Sequence, residues 1–101
     1  MSARCVVPKR VDRNQAKIVG ALRHAGASVW HTHEAGKGAP DIVVGWERKN
    51  YLFEIKDPKQ PPSKRRLTDD EETFHECWEG QVDVIHSFEE ALEIMTQVEE
   101  L

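Results

Sequence analysis

PDIVVGWERKNYLFEIK, residues 40–56, decides the fold of this chain. Two runs rich in β-branched and aromatic side chains, residues 41–45 and 50–56, flank the polar residues 46–49. Runs of this composition on either side of a short polar turn predict a β-hairpin. Prolines follow closely and end the second strand, because proline cannot donate a hydrogen bond to a neighbouring strand.

The register of this hairpin brings two acidic side chains together. If the four-residue turn closes symmetrically, Val43 lies opposite Leu52 and Asp41 lies opposite Glu54. Directly opposed residues share one face of the sheet, with Cβ atoms about 5 Å apart. Like charges in such a pair repel, so the pair needs a compensating cation. A metal ion is the natural candidate.

The end of the second strand adds a lysine to the pair of acids. Glu54 and Lys56 point to the same face because side chains alternate along a strand. Two carboxylates, the backbone carbonyl of Ile55, waters and a phosphate oxygen supply the oxygen ligands that Mg2+ prefers. Lys56 can orient or help deprotonate an attacking water and neutralise charge on the phosphate. The predicted catalytic residues for metal-assisted phosphodiester hydrolysis are therefore Asp41, Glu54 and Lys56.

A second interpretation of the same residues stays open. Lys56 can instead pair with Glu54 or Asp41 on an exposed sheet face, with no metal bound. The acid-x-Lys pattern alone does not decide between the two, because it occurs three times in this chain.

Periodicity places the remaining elements. Apolar residues at helical spacing predict a first helix over residues 15–25, with Asp12 or Asn14 as its N-cap, followed by a strand over residues 27–33. Capping-box spacing predicts two further helices, which begin at residues 68 and 87 and lie on either side of a strand over residues 82–85. The order αβββαβα predicts an α/β fold. We expect one domain over residues 1–101, with residues 1–11 as a loose arm.

Charge is distributed unevenly along the chain, whose net charge is −4. Residues 1–66 hold all 14 Lys and Arg and six acids, whereas residues 67–101 hold 12 acids and neither Lys nor Arg. The basic part permits a nucleic-acid partner, although two unrelated solvated faces explain the pattern equally well. Four basic side chains directly follow the second strand and are predicted to contact backbone phosphates: Lys59, Lys64, Arg65 and Arg66.

Composition excludes several classes of protein. No apolar stretch approaches the roughly 20 residues of a membrane span, and the N-terminus lacks the features of a secretory signal. Two distant cysteines do not form a disulfide framework or a zinc ribbon. We therefore expect a cytoplasmic protein with no membrane association and no small-molecule cofactor.

The motif Pro40-Asp41 followed by Glu54-Ile55-Lys56 looks like that of the PD-(D/E)xK nuclease superfamily, and the wider pattern resembles its virus-type replication-repair (VRR-NUC) family. The resemblance extends over nearly the whole chain, from RNQAKIVGALRHAG through GKGAPDIVVG and YLFEIKD to LTDDEETFHECW and VDVIHSFEEAL. It implies a restriction-endonuclease-like core, a mixed central sheet flanked by helices. It also implies DNA cleavage with Mg2+ or Mn2+, phage-like relatives and a role in DNA repair or recombination. Asp41 and Glu54 would be metal ligands and Lys56 the catalytic lysine.

Two positions depart from the family pattern. Many relatives present a glutamate from the first helix, where this chain has Gln15, so a second metal ion is in doubt. Relatives also tend to have a glutamine early in the helix after the basic loop, where this chain has Glu71. Glu71 either restores the missing charge or serves only as the capping partner of Thr68.

Histidines and aromatic residues offer weaker candidates. His31 and His33 suggest a transition-metal site, but surface histidines are the favoured interpretation, and one of them can still contact phosphate. Phe74 and Trp78 have the spacing of core residues. Trp46, in the turn, is predicted to contact DNA or a second subunit.

These observations predict a Mg2+-dependent DNA endonuclease. We expect recognition of branched or junction DNA rather than a base sequence, because no segment resembles an element that reads the major groove. A chain of 101 residues has little surface for a long duplex, so we expect a homodimer. The alternatives are a non-catalytic DNA-binding or assembly module that keeps the nuclease fold and, less favoured, a histidine-based metal-binding regulator.

Overall fold

The computed structural model describes residues 13–97. In chain order the elements are α1 (Arg13–His24), β1 (Ser28–His31), a 3-10 helix (His33–Ala35), β2 (Ile42–Trp46), β3 (Lys49–Ile55), α2 (Pro62–Arg65), α3 (Asp69–Cys77), β4 (Asp83–Ile85) and α4 (Phe88–Met95). The predicted αβββαβα order is confirmed, with the short 3-10 helix and α2 added in two loops. The predicted arm, residues 1–11, and the candidate N-cap Asp12 lie outside the described residues.

The four strands form one mixed sheet in the order β1-β2-β3-β4. The first two pairings are antiparallel and β3 runs parallel to β4. Val43 pairs with Leu52, as the symmetric hairpin predicted. The turn is tighter than predicted, because Trp46 already pairs with Lys49 and only two residues remain to close it. These two residues, Glu47 and Arg48, have positive φ angles of 51° and 68°. Positive φ at both central positions is typical of a type I′ turn, whose twist matches that of the strands.

Helices α1 and α4 supply one side of the core. Their apolar residues recur every three or four positions, so each helix buries a single stripe against the sheet. The core cluster contains Ile18, Val19 and Leu22 of α1, Ala27, Ile42, Val44, Phe53, Ile55 and Ile85 of the sheet region, and Ala91 and Met95 of α4.

The prediction that Asn14 can be the N-cap of α1 is wrong. Asn14 lies inside α1 instead of capping it, and its Nδ2 donates to the carbonyl oxygens of Lys56 (3.1 Å) and His86 (3.3 Å).

Helix α3 packs differently from the other long helices. It buries none of its residues, and it ends at Cys77. The prediction that Phe74 and Trp78 belong to the core is wrong. Their rings stack on each other with centroids 5.2 Å apart, and Trp78 remains 45% exposed.

The predicted contact of Trp46 with DNA or a second subunit stays a prediction. The ring of Trp46 is half-buried and packs against the core cluster, whereas Trp30 on β1 is 69% exposed.

Within residues 13–97, no helix combines the length and apolar character needed to cross a membrane.

Candidate active site

An open cleft of about 400 Å³ lies where β2 begins and β3 ends. Its lining includes the residues predicted as catalytic or metal-binding, Asp41, Glu54, Ile55 and Lys56, together with the supporting candidates Gln15 and Glu71. Chain segments far apart in sequence thus converge on one site, whose residues come from α1, the hairpin and the start of α3.

Asp41 is held at the mouth of the hairpin by backbone contacts. It immediately precedes β2, and its carbonyl accepts a hydrogen bond from the Thr32 amide at 2.9 Å. Its Oδ2 accepts a hydrogen bond from the Ile55 amide at 2.7 Å. The side chain of Asp41 is therefore bound to the end of β3, at the residue that follows Glu54. This contact, and not strand pairing, holds Asp41 near Glu54.

Glu54 is a buried carboxyl group. The residue is 2% exposed, and its Oε1 is buried without a hydrogen-bond partner among the described residues. Its Oε2 lies 3.7 Å from Lys56 Nζ. Burial, and then the charge of Asp41, raise the pKa of Glu54 from 4.5 to about 9, against the opposing effect of Lys56. Without a further cation, Glu54 is therefore neutral at pH 7.

Lys56 is held by an acid from another segment. Its Nζ donates to Glu71 Oε1 at 2.9 Å. Burial alone would lower the pKa of Lys56, but the hydrogen bond to Glu71 and the surrounding acids outweigh burial and raise that pKa above 10.5. The pKa of Glu71 is lowered despite burial, because its carboxylate accepts hydrogen bonds from the Thr68 amide and from Lys56. Lys56 is thus a stable cation.

Glu71 is the capping partner of Thr68 and also brings a carboxylate to the cleft, whereas its compensation for the charge missing at Gln15 stays a prediction. It completes the capping box of α3, since Thr68 Oγ1 accepts from the Glu71 amide while Glu71 Oε1 accepts from the Thr68 amide. The same Oε1 binds Lys56 in the cleft. The cap therefore sets the position of the acid that holds the lysine.

The residues present fit a Mg2+ ion better than a transition metal. Residues 13–97 contain no group of three or more His, Cys, Asp or Glu arranged to hold a metal ion. Mg2+ is commonly bound through one or two carboxylates while it keeps several waters. The unpartnered Oε1 of Glu54, beside Asp41 at the end of the sheet, offers such a ligand.

Gln15 projects from α1 into the same cleft. It is 5% exposed, and its Nε2 lies 3.2 Å from Nδ1 of the exposed His31. Gln15 adds a dipole but no negative charge to the site. His33, two residues further on, also lines the cleft and has a buried Nδ1 without a partner in the described part of the chain.

The predicted phosphate-binding residues do not all reach the cleft. Lys64 lines it, whereas Lys59 lines a neighbouring cleft between α1 and the start of α4. Arg65 and Arg66 are exposed and line neither cleft. Of the four, Lys64 is the residue that the structure brings to the candidate site.

The segment between β1 and β2 forms a wall of the cleft that the sequence did not fully predict. Glycine lets the backbone approach another segment closely, and Gly38 does so. A Cβ atom on Gly38 would overlap the carbonyl group of Asp70 at the start of α3. By sequence, His33 on this wall is only a weak metal or phosphate candidate, and Lys37 is not singled out, because spacing alone does not reveal which element a loop meets.

Comparison with solved structures identifies the fold. A structure described as a VRR_NUC domain matches this chain with a TM-score of 0.54, at 26% sequence identity. The match covers 85% of this chain and 95% of that chain. The chain has the fold of a VRR-NUC domain. No sequence-family model matches it, and no curated protein sequence does.

The match confirms the family resemblance and the fold class predicted from the hairpin motif. The match spans almost the full length of the matched VRR-NUC domain. The roles of individual cleft residues rest on the geometry described above.

Proposed function

We propose that this VRR-NUC-like domain is a Mg2+-dependent endonuclease that hydrolyses phosphodiester bonds in DNA. The fold match supports a nuclease-type function. The observation that carries the finer proposal is the buried Glu54, whose unpartnered Oε1 lies in the cleft with Asp41 and Lys56. An unpaired buried carboxyl oxygen is destabilising, so its presence calls for a ligand.

Asp41, Glu54 and the backbone carbonyl of Ile55 would hold Mg2+, and Mn2+ would substitute. When bound, the ion would supply Lewis acidity at the phosphate and lower the pKa of a water. Asp41 keeps its place through the Ile55 amide. Glu54 must lose its proton to serve as a ligand, so metal binding would release a proton at neutral pH.

Lys56 acts as a fixed positive charge in this proposal. Its raised pKa makes it a poor general base at neutral pH. Held by Glu71, its ammonium group can instead neutralise the charge that grows on the phosphate during attack. Gln15 can orient a water through its amide.

The test is cleavage of supercoiled plasmid and of a labelled four-way junction in Mg2+, Mn2+ or EDTA. Glu54→Gln and Lys56→Ala should each lower the Mg2+-dependent rate by at least about 100-fold. The matched controls are Glu47→Gln and Lys49→Ala, at the far end of the same hairpin, which should cleave like the wild type. Cleavage that survives both Glu54→Gln and Lys56→Ala would remove these residues from the site.

Two finer features of the proposal have their own measurements. Selectivity for branched DNA predicts faster cleavage of the junction than of a linear duplex with the same arms. A homodimer predicts twice the mass of the chain by light scattering at working concentration. DNA binding without cleavage in any metal would instead support the non-catalytic module.

A further inference from the structure

Residues 33–39 form a continuous wall of the cleft. Five positions of this segment line it: His33, Gly36, Lys37, Gly38 and Ala39. The segment connects β1 to β2 and ends directly before Pro40 and Asp41. The wall therefore lies directly beside Asp41, the proposed metal ligand.

Lys37 is held in an unusual backbone conformation on this wall. Its φ is +56°, between glycines with φ of +80° and +81°. A non-glycine residue in the left-handed region is uncommon and carries strain, which the surrounding structure must offset. The contact between Gly38 and the backbone of Asp70 and Glu71 supplies that constraint. The fold thus fixes where the lysine leaves the chain.

The charges around the cleft make this lysine significant. The acidic residues that line it are Asp41, Glu54, Asp57, Asp70 and Glu71, and the lysines are Lys37, Lys56 and Lys64. Lys56 is engaged by Glu71. Lys37 and Lys64 form no ion pair within residues 13–97, so their charges are available to an anionic strand.

We propose that Lys37 is a phosphate-binding residue, which contacts the backbone of the nucleic-acid strand in the cleft. This inference rests on the proposed nuclease function and adds a substrate contact to it. The contact is made in the ground state and in the transition state alike, so its loss should raise KM much more than it lowers kcat.

Binding of a labelled junction in EDTA, measured by fluorescence anisotropy over about 50 to 200 mM salt, tests the inference. Lys37→Asn removes the charge with a residue that tolerates positive φ, and Lys37→Arg keeps the charge. Lys49→Gln is the matched control, because Lys49 is exposed at the far end of β3. Lys37→Asn should reduce the slope of log K against log salt by about 0.9. Lys37→Arg and Lys49→Gln should leave the slope unchanged, and all variants should keep the melting temperature within a few degrees.

The possible outcomes separate the two proposals. One outcome is that the wild type binds and cleaves the junction while Lys37→Asn and Lys49→Gln show the same slope of log K against log salt. In that case Lys37 does not contact phosphate, and the nuclease proposal stands. If the wild type neither binds nor cleaves DNA, both proposals fail. A lower kcat with unchanged KM in Lys37→Asn would also overturn the contact, since it would place Lys37 outside ground-state binding.

Discussion

Glu54→Gln is expected to make the metal-free domain more stable while removing its proposed activity. In the folded state the pKa of Glu54 is raised from 4.5 to about 9. Between these values the folded protein holds a proton that the unfolded chain releases, so stability falls as pH rises from 4.5 towards 9. Each unit of pKa shift corresponds to about 1.4 kcal/mol, so the penalty at pH 7 is on the order of 3 kcal/mol. Glutamine fills the same space without a charge and avoids that penalty.

Urea unfolding in EDTA at pH 5 and at pH 8 measures this effect. The Glu54→Gln variant and the wild type should have nearly equal free energies of unfolding at pH 5. At pH 8 the variant should be more stable by several kcal/mol. Glu71 and Glu90 have lowered pKa values, so the stability that they contribute is lost only as pH falls below 4.5, outside this window. Glu47→Gln, in the exposed turn, is the control and should show no such gap.

A difference between Glu54→Gln and wild type that stays the same from pH 5 to pH 8 would refute this reasoning. It would mean that Glu54 is ionised in the folded protein or that its burial has no electrostatic penalty. Mg2+ provides a second comparison. If the ion binds Glu54 in the folded state, it should stabilise the wild type at pH 8 by mass action and should have much less effect on Glu54→Gln.

Three further substitutions test individual contacts by urea unfolding. Gly38→Ala should be more destabilising than Gly36→Ala, because both have positive φ but only Gly38 meets the backbone of α3; equal losses would contradict the close approach. Thr68→Ala should lower the free energy of unfolding by about 1 kcal/mol, because it removes the N-cap of α3. It should also reduce cleavage, because the cap positions Glu71, which binds Lys56. Unchanged cleavage would mean that the cap does not affect the site. Trp78→Ala should cost about 1 kcal/mol rather than the 3–5 kcal/mol of a core tryptophan, because its described ring contact is the stack on Phe74. A larger loss of unfolding free energy would indicate that Trp78 contributes to the core.

The sequence predicted the sheet well because its signals are local. Alternating apolar residues and a polar turn determine both the strands and the hairpin register. The register survived a wrong turn length, because moving the closing pair outwards or inwards by one residue on both strands keeps Val43 opposite Leu52. Capping-box spacing likewise located the starts of α3 and α4, since it depends on residues three positions apart, but the full box forms only at α3, because Glu90 accepts from the His86 amide instead of the Ser87 amide.

The sequence failed where long-range packing decides the outcome. Capping-box spacing predicted the start of α3 correctly, but the spacing of Phe74 and Trp78 does not reveal that these aromatic residues stay outside the core. Asn14 was a plausible cap by type, yet its partners are carbonyl groups of Lys56 and His86, which only the fold brings near. The site shows the same division. The acids and the lysine follow from the hairpin, whereas the place of Lys37 depends on the approach of its loop to α3.

Two destabilising features of the described chain lie in one cleft. Glu54 is buried with an unpartnered oxygen, and Lys37 has a left-handed backbone that lysine rarely adopts. Neither feature stabilises the fold, and each would be relieved by a simple substitution, to glutamine or to glycine. Local departures from stability that cluster at one site are typical of functional sites, where binding a ligand offsets them. The two features also complement each other chemically. Glu54 can bind a metal ion, and Lys37 can bind a phosphate group. These are the two components of a metal-bound phosphodiester.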